Sequence, residues 1–513
     1  MAGEPVQIGP FIGGLNTFSD PTAVGDNQLV VCENFELDLD GSLMSRPPFV
    51  AQPGTLQLGD TGDPQLLGYY FAAGNLPYLI ASDGLSKTYF WNGTSWAIVT
   101  DTFAASAMTQ FDGKAWLLAP ATGTAVGGYW TPGGGFVEQP NMPKGDAVVT
   151  HKQRLWVVPG KLAPTNSTRL YYSAVLGVPE LWPEAPDFID IGSGDGQSIV
   201  SLVVYYSTLI LFRTNSIYGL QYTADPSEGT VAIIVPGVGL NDKNCVVPFE
   251  NYIYFMYDDK AYEFVNNRAA QINVQVPFTS GSRIGIYQPY SVSKFNRRII
   301  YAYWDRTFVF NLRTRTWTTW KSTEHGAIGK LVELDDATED ITAIAFSSKT
   351  IPSSPDREAI TLQISDSFGT STEEFECVLQ TKNYNYEIGA AYKRLFWWGI
   401  EAVFRGEVRG VANPISYTVN GTWGQLLSTT WGALLNQTWG ALTFDAYRIE
   451  TIRDTSGTNA MRKFVKFMKS LRFRQIYFRV SFDSDGSAAT SPVRLFLLMT
   501  YVNAKQRVSK AVT

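Results

Sequence analysis

Two histidines, three cysteines and 47 carboxylates are the side chains from which this 513-residue chain could assemble reactive chemistry. His151 and His325 lie in unrelated contexts, and His151 sits just before a short apolar strand, where it reads as a turn or strand-edge residue rather than a general base. No nucleophile, base and orienting group can be assembled around either. No Cys/His cluster has zinc-ligand spacing, and no glycine-rich loop runs into a Lys-Ser/Thr pair that could cradle phosphates. Asp483-Ser484-Asp485-Gly486 opens like a calcium loop, but Ser487-Ala488-Ala489-Thr490 stand where the later oxygen ligands belong, so it reads as a hairpin turn. Ser82-Asp83-Gly84 and Gly192-Ser193-Gly194-Asp195-Gly196 bring to mind the carboxylates that sugar hydrolases pair across a cleft. Without the full aspartate-box spacing both read as turns. The sequence thus predicts no enzyme, no cofactor and no metal site.

Two other stretches have the chemistry of contact rather than of reaction. Arg462, Lys463, Lys466, Lys469, Arg472 and Arg474 interleave with Phe464, Phe467 and Phe473, a pattern suited to DNA or to an acidic partner. The same pattern is what a strand with one solvated face produces. An eight-residue repeat places Trp423, Trp431 and Trp439 each before a glycine, as intersubunit or partner-docking loops would, or as ordinary core tryptophans under long loops.

The elements that must carry these residues are strands. Six times between residues 75 and 300 a polar turn leads into a short apolar strand, as in Gly113-Lys114-Ala115-Trp116-Leu117-Leu118 and Gln153-Arg154-Leu155-Trp156-Val157-Val158. With Tyr78, Trp116, Trp156, Ile210, Tyr254 and Ile300 as equivalents, the steps are 38, 40, 54, 44 and 46 residues. A degenerate repeat of about 40 to 50 residues with several strands per copy predicts a β-propeller, whose four-stranded blades bury their faces on one another. A weaker copy at Ile341–Phe346 brings the expected count to about seven blades. Thr88–Trp96 and Phe308–Trp317 each read as an outer hairpin with a Trp just past the turn.

The expected organisation is an all-β chain in three parts: an extended N-terminal arm over 1–50, a propeller over 51–370 and a C-terminal β-sandwich over 371–513. In the arm, the alternation of Phe35, Leu37 and Leu39 with Glu36 and Asp38 predicts a strand with one wet face. After 371 the strands lengthen, as in Tyr392–Phe404 and Leu471–Val480.

Composition limits the function classes. Apolar residues make up 45% and aromatics 14%, enough for large cores. A net charge of −6 does not suit a protein whose task is to wrap nucleic acid, although it suits a surface past which DNA must slide without sticking. Cys32, Cys245 and Cys377 are too few and too far apart for a disulfide framework and indicate assembly in a reducing compartment. The opening Met-Ala-Gly-Glu-Pro has neither the basic nor the apolar region of a signal peptide, and Ile199–Phe212 is too short and too polar to span a membrane. The expectation is a soluble chain made in a cytoplasm.

Three sets of residues carry a resemblance. Gly13-Gly14-Leu15-Asn16-Thr17, Asn27-Gln28-Leu29, Glu33-Asn34-Phe35 and Asp40–Pro47 resemble the opening of many bacteriophage tail proteins. Arg154–Val157, Leu170–Ser173, Pro179–Pro183 and Ser207–Tyr218 resemble the blades of the tail nozzle, or packaged-DNA stabilisation, proteins of short-tailed phages, and Lys393–Phe396 with Arg472–Val480 resemble their C-terminal β-domains. The resemblance implies a virion structural protein of the tail, assembled in the host cytoplasm, with no catalytic residues to carry over. Its expected partners are five further copies in a homohexamer, the tail adaptor of the head-tail connector, fibre or spike proteins, and double-stranded DNA passing through without sequence-specific contact. The alternatives are a minor tail or tail-tip protein of a long-tailed phage and a carbohydrate-binding or glycan-hydrolysing propeller. In a ring around DNA the basic residues of 462–474 are expected at protein contacts or on the outer surface, since each lumenal cation would hold phosphates.

Overall fold

The computed structural model describes residues 6–51, 65–72, 77–92, 95–161, 163, 166–176, 181–192, 194–278, 291–303, 306–322, 328–334, 341–350, 357–364, 375–384, 393–404, 406–415, 449–454, 461–473, 475–483 and 494–504. They form two units. The propeller unit comprises 49–310 and 322–365, and the sandwich unit comprises 1–48, 311–321 and 366–513. Almost every described element is a strand, and a single 3₁₀ turn, Pro226–Glu228, interrupts them.

In the propeller unit, the first strands of seven successive blades are Gln65–Phe71, Ala107–Phe111, Ala147–His151, Ile199–Tyr205, Val246–Phe249, Ser291–Phe295 and Ile328–Leu334. Each touches the next, and the seventh touches the first, so the innermost strands close a ring. The blade count expected from the repeat spacing is therefore met. Blades 1 to 5 and 7 are antiparallel four-stranded sheets, and blade 6 supplies the three strands of 291–311 to this unit. The residues equated by spacing all fall in second strands. Trp116, Trp156, Ile210, Tyr254 and Ile300 each occupy the third position of theirs.

The recurrent polar turn is a two-residue hairpin loop between first and second strands. Asp112-Gly113, Lys152-Gln153 and Asn296-Arg297 have both residues at positive φ, the conformation that matches the twist of the flanking strands. Lys152 takes φ 47° without being glycine, a conformation in which the β-carbon crowds the backbone. Its ammonium donates to the Tyr222 carbonyl and lies 4.4 Å from the Tyr222 ring centre, contacts that hold the turn in place.

Alternation then buries one face of each second strand on the preceding blade and the other on the next. Trp156 packs with Leu209, Leu211 and Leu220 of blade 4, while its neighbours Leu155 and Val157 pack with Trp116 and Leu118 of blade 2. Both tryptophans are fully buried, and each donates its indole N–H to the carbonyl five residues earlier, Trp116 to Phe111 at 3.1 Å and Trp156 to His151 at 3.4 Å. A buried indole donor left unmet would carry a desolvation cost, so the first strand's last carbonyl is part of the Trp site.

Blade 7 is completed from the far end of the sequence. Phe49–Ala51 pairs antiparallel with residues 360–362, so a strand before blade 1 becomes the outer strand of the last blade. Ring closure by such a strand joins residues separated by three hundred positions.

The sandwich unit has two sheets. One runs Met461–Phe473, Lys393–Phe404, Arg494–Ala504, Leu43–Ser45 and Phe35–Leu37, with Val6–Ile8 also paired to Arg494–Ala504. The other contains Thr316–Trp320, Gln28–Glu33, Glu376–Thr381, Gln475–Asp483, Gly406–Ile415 and Ile449–Asp454. Trp398 meets Phe478 at 5.2 Å and Phe35 meets Phe482 at 5.9 Å between ring centres, which packs the sheets face to face.

The N-terminal segment departs from the expected arm. Its strands are built into both sheets of the sandwich unit because Leu29, Cys32, Phe35 and Leu43 are all fully buried there. The expected wet face is also absent, since Glu36 is buried and the strand ends at Leu37, leaving Leu39 exposed in the turn.

Candidate functional site

At one end of the propeller axis, ionisable side chains from several blades come together in a way that no sequence motif indicated. Asp242 turns the chain before the blade 5 inner strand, its Oδ1 accepting the Asn244 backbone N–H at 2.8 Å. That turn aims Lys243 across the axis, where its Nζ donates to the Ser106 carbonyl of blade 2 at 2.8 Å and lies 3.9 Å from Asp146 Oδ1 of blade 3. Ser106 in turn donates from Oγ to the Gly145 carbonyl at 2.5 Å, joining the two receiving blades. Burial pushes the Asp146 carboxyl up, against the pull of Lys243, and pushes the Lys243 ammonium down, against Asp146 and Asp242. Lys330 on the blade 7 inner strand belongs to the same field. Burial, together with Lys243, brings its pKa down to about 8 while Asp242 opposes the shift.

In the sandwich unit, a hub forms around Asn34, held at φ 59°. Its Oδ1 accepts from Arg46 Nε at 2.9 Å and from the Lys321 backbone N–H at 2.7 Å, and its Nδ2 donates to the Glu376 carbonyl at 2.8 Å. The fully buried Arg46 also donates to the Pro47 carbonyl at 2.8 Å and stacks over Phe375 at 4.0 Å. Cys377 donates weakly from Sγ to the Asn34 carbonyl, and burial pushes the thiols of Cys32 and Cys377 up, away from reactivity.

A cleft of about 680 Å³ in the same unit is lined by Val6, Ile8, Pro10, Asp26, Lys382 and Tyr384 among others. Lys382 pairs with Asp26 and lies 5.4 Å from the Tyr384 ring centre, so the cleft offers apolar and charged contacts together.

The carboxylate turns resolve as structural devices. Asp83 Oδ1 accepts the backbone N–H groups of Leu85, Ser86 and Lys87 between 2.8 and 2.9 Å. Asp195 binds the buried Arg213 with both oxygens at 2.5 and 2.7 Å, which holds its carboxyl below the usual range. Gly192 stands at φ 58° against that guanidinium, where a β-carbon would collide with Arg213 Nη1. His151 is buried at the end of its strand, with its ring edge-on to Tyr222 at 5.6 Å. His325 and Asp485 lie outside the described residues. Among the described residues no group of three or more His, Cys, Asp or Glu is placed to hold a metal ion, and no helix is long and apolar enough to cross a membrane.

Of the predicted contact residues, Arg462, Lys463, Lys466, Lys469 and Arg472 fall on the 13-residue strand Met461–Phe473. Among the described residues this strand is the end of its sheet and pairs only with Lys393–Phe404, with Arg462 opposite Val403, Lys463 opposite Ala402, Lys466 opposite Gly399 and Arg472 opposite Arg394. A long edge strand studded with Lys and Arg is protected against indiscriminate pairing with other strands. Arg474, Trp423, Trp431 and Trp439 lie outside the described residues.

No family model matches the chain, and no curated protein does. Among solved structures, it is similar to the extracellular domain of a hybrid two component system from B. thetaiotaomicron, at 10% identity and a TM-score of 0.40, covering 70% of this chain and 44% of that one. It is also similar to the Pan2 WD40 domain of Neurospora crassa, at 10% identity and a TM-score of 0.40 over 62% of this chain and 97% of that one. YCF48 from Cyanidioschyzon merolae gives 12% identity and a TM-score of 0.39 over 62% and 98%. The assignment to the β-propellers rests on the chain's own closed ring of inner strands.

Proposed function

We propose that this chain is a virion structural protein of a short-tailed phage, a tail nozzle subunit that joins further copies in a ring around the exiting genome. The observation that supports the reading is the placement of the residues carrying the resemblance. Asn34 and Arg46, from the Glu33-Asn34-Phe35 and Asp40–Pro47 segments, form the buried hub that ties the N-terminal strands to Lys321 and Glu376. Such a hub is an architectural device rather than a reactive centre. Rigid closed sheets suit a particle under internal pressure, since a ring of blades leaves no long unpaired edge to open.

In this reading the genome runs along the axis of the assembled ring and not through any one propeller, because Lys243 spans the propeller's own axis. The basic edge strand faces protein, either a neighbouring copy or the adaptor above it. Electron-microscopy class averages of the purified chain test this: six-fold rings with an open centre are expected. Monomers that hydrolyse a glycan, with turnover abolished by one Asp or Glu substitution, would overturn it. Charge reversal of Arg462, Lys463, Lys466 and Lys469 to Glu is expected to weaken ring or tail assembly through like-charge contacts. Normal assembly with premature loss of packaged DNA would instead place the strand at the channel.

A further inference from the structure

We propose that the cleft beside Val6–Ile8 in the sandwich unit receives an extended peptide segment of another protein, one in which basic and apolar residues alternate, added as a further strand along Val6–Ile8. This inference stands apart from the tail reading and needs only the sandwich unit. At about 680 Å³ the cleft falls within the range of about 300–1,000 Å³ that ligand sites occupy. One wall is a strand with pairing capacity to spare. Val6, Gln7 and Ile8 pair antiparallel with Thr500, Met499 and Leu498 on one side, and among the described residues no strand pairs with them on the other. All three line the cleft, and the opposite wall comes from Thr22, Asp26, Asn27 and residues 382–384. Main-chain N–H and C=O groups alternate between the two edges of a strand, so an edge strand offers a ladder that a partner chain can complete.

The two walls differ in character, and that difference selects the segment. On the strand side Val6 is 44% exposed and Ile12 53% exposed, with the exposed Pro10 between them, so the fold leaves an apolar strip uncovered. On the other side the charges that face solvent are carboxylates. The Asp26 side chain is 83% exposed, and the exposed Asp20 stands beside it in the same turn, its Oδ1 accepting the Thr22 backbone N–H at 2.8 Å. The cation of that wall is covered: the Lys382 side chain is only 16% exposed, committed to Asp26 and seated 5.4 Å from the Tyr384 ring centre. The Asn383 backbone N–H donates to the Pro21 carbonyl at 2.9 Å, which ties the two stretches of this wall together. An extended chain sends successive side chains to opposite sides, so one set meets Val6 and Ile12 while the other meets Asp20 and Asp26. An acidic or wholly apolar segment satisfies at most one wall.

The test uses the full chain and a fluorescein-labelled peptide, Val-Lys-Val-Arg-Val-Lys-Val, with binding read by fluorescence anisotropy. Saturable binding is expected, and the same peptide with Glu at its three basic positions is expected to bind at least tenfold more weakly. Asp20→Asn and Asp26→Asn together keep the turn's acceptors but remove both charges, with an expected weakening of about fivefold, the scale of exposed ion pairs. Ile12→Lys places a cation on the apolar strip and is expected to abolish binding, whereas Leu85→Lys, at an equally exposed leucine of the propeller unit, leaves it unchanged. Strand addition is read from two further peptides, N-methylated on the odd or on the even residues. One is expected to lose binding and the other to keep it, because only one edge of the added strand faces Val6–Ile8. This pair needs no protein variant, so it decides the matter even where a substitution disturbs folding. Full binding of both N-methylated peptides overturns strand addition, and full binding of the Glu peptide, or of the parent peptide by the Asp20/Asp26 or Ile12 variants, overturns the site.

Discussion

Arg46 Nε donates to Asn34 Oδ1 at 2.9 Å inside the sandwich unit, with both residues almost completely removed from solvent. The bond links two turns of the N-terminal segment, and the same Asn34 oxygen receives Lys321 from the segment 311–321 while its amide reaches Glu376. One short side chain thereby gathers three stretches of sequence. Its left-handed conformation is the reason it can, because φ 59° turns the backbone carbonyl toward the Arg46 N–H while the side chain points inward.

Substitutions at this pair separate its two contributions. Asn34→Gly loses the side-chain bonds but also removes the β-carbon from a positive-φ position, whereas Asn34→Ala loses the bonds and keeps the β-carbon there, so the alanine variant is expected to be less stable than the glycine variant by about 1 kcal/mol. Arg46→Lys retains the charge but loses the fork, with an expected loss of about 2–3 kcal/mol from broken charge-assisted bonds. Amide exchange in Gln28–Glu33 and Glu376–Thr381 reads both effects locally, and unchanged protection there would refute the hub.

Phe49 is fully buried where residues 49–51 complete blade 7. Phe49→Ala is expected to cost about 3–5 kcal/mol through lost burial and the cavity left behind. Exchange should rise first in residues 357–364, the strand that Phe49–Ala51 covers. A uniform rise over all blades would mean that closure is not the weak point of the ring.

The second strand of each blade was legible because its signal is local: a two-residue turn followed by alternating large apolar residues, as at Gly113–Leu118. First strands gave less, since Ala107–Phe111 is only half-buried and mixes Thr109 and Gln110 with apolar residues. Blade closure was not legible at all. The partners of Phe49–Ala51 lie at residues 360–362, and nothing in either stretch specifies the other. The same holds for the axial cluster, where Ser106, Asp146 and Lys243 meet only because blade rotation brings them together. Glu36 shows the opposite error. Its place in a neat alternation predicted a wet face, but the side chain is buried in the folded unit, a fact that no local pattern carries. The basic run of 462–474 was legible as an alternating strand pattern, but the strand expected over Leu471–Val480 is divided between Met461–Phe473 and Gln475–Asp483, which lie in different sheets.

Trp116 and Trp156 should respond alike to substitution despite their different neighbours, since each combines a buried ring with one indole hydrogen bond to the preceding strand. Trp156→Phe is expected to cost about 1–2 kcal/mol, from the lost donor and a small void, and Trp156→Ala about 3–5 kcal/mol. Thermal unfolding of the four single variants at 116 and 156 checks this. A Phe variant as damaging as the Ala variant would show that the bond to the His151 or Phe111 carbonyl outweighs the packing.

His151 gives the propeller a pH dependence whose sign follows from its surroundings. Burial pushes its pKa down, the neighbouring Lys152 pushes it further, and a hydrogen bond with the Ser207 backbone only partly opposes them. Its Nε2 is buried without a hydrogen-bond partner, so a proton added there has no acceptor to meet. The folded state therefore binds a proton less readily than the unfolded chain, whose histidine titrates near 6.5. Between the two values the unfolded state holds more protons, and stability rises with pH through that window. The stability is fully present above about pH 7 and declines as the pH falls below the unfolded value, levelling off only below the folded pKa. His151→Gln keeps the backbone carbonyl that serves Trp156 and Tyr222 but cannot be protonated, so its unfolding free energy is expected to vary less between pH 7 and pH 5. Denaturant unfolding of both proteins across that range measures the difference, and parallel pH profiles would show that His151 is not the group responsible.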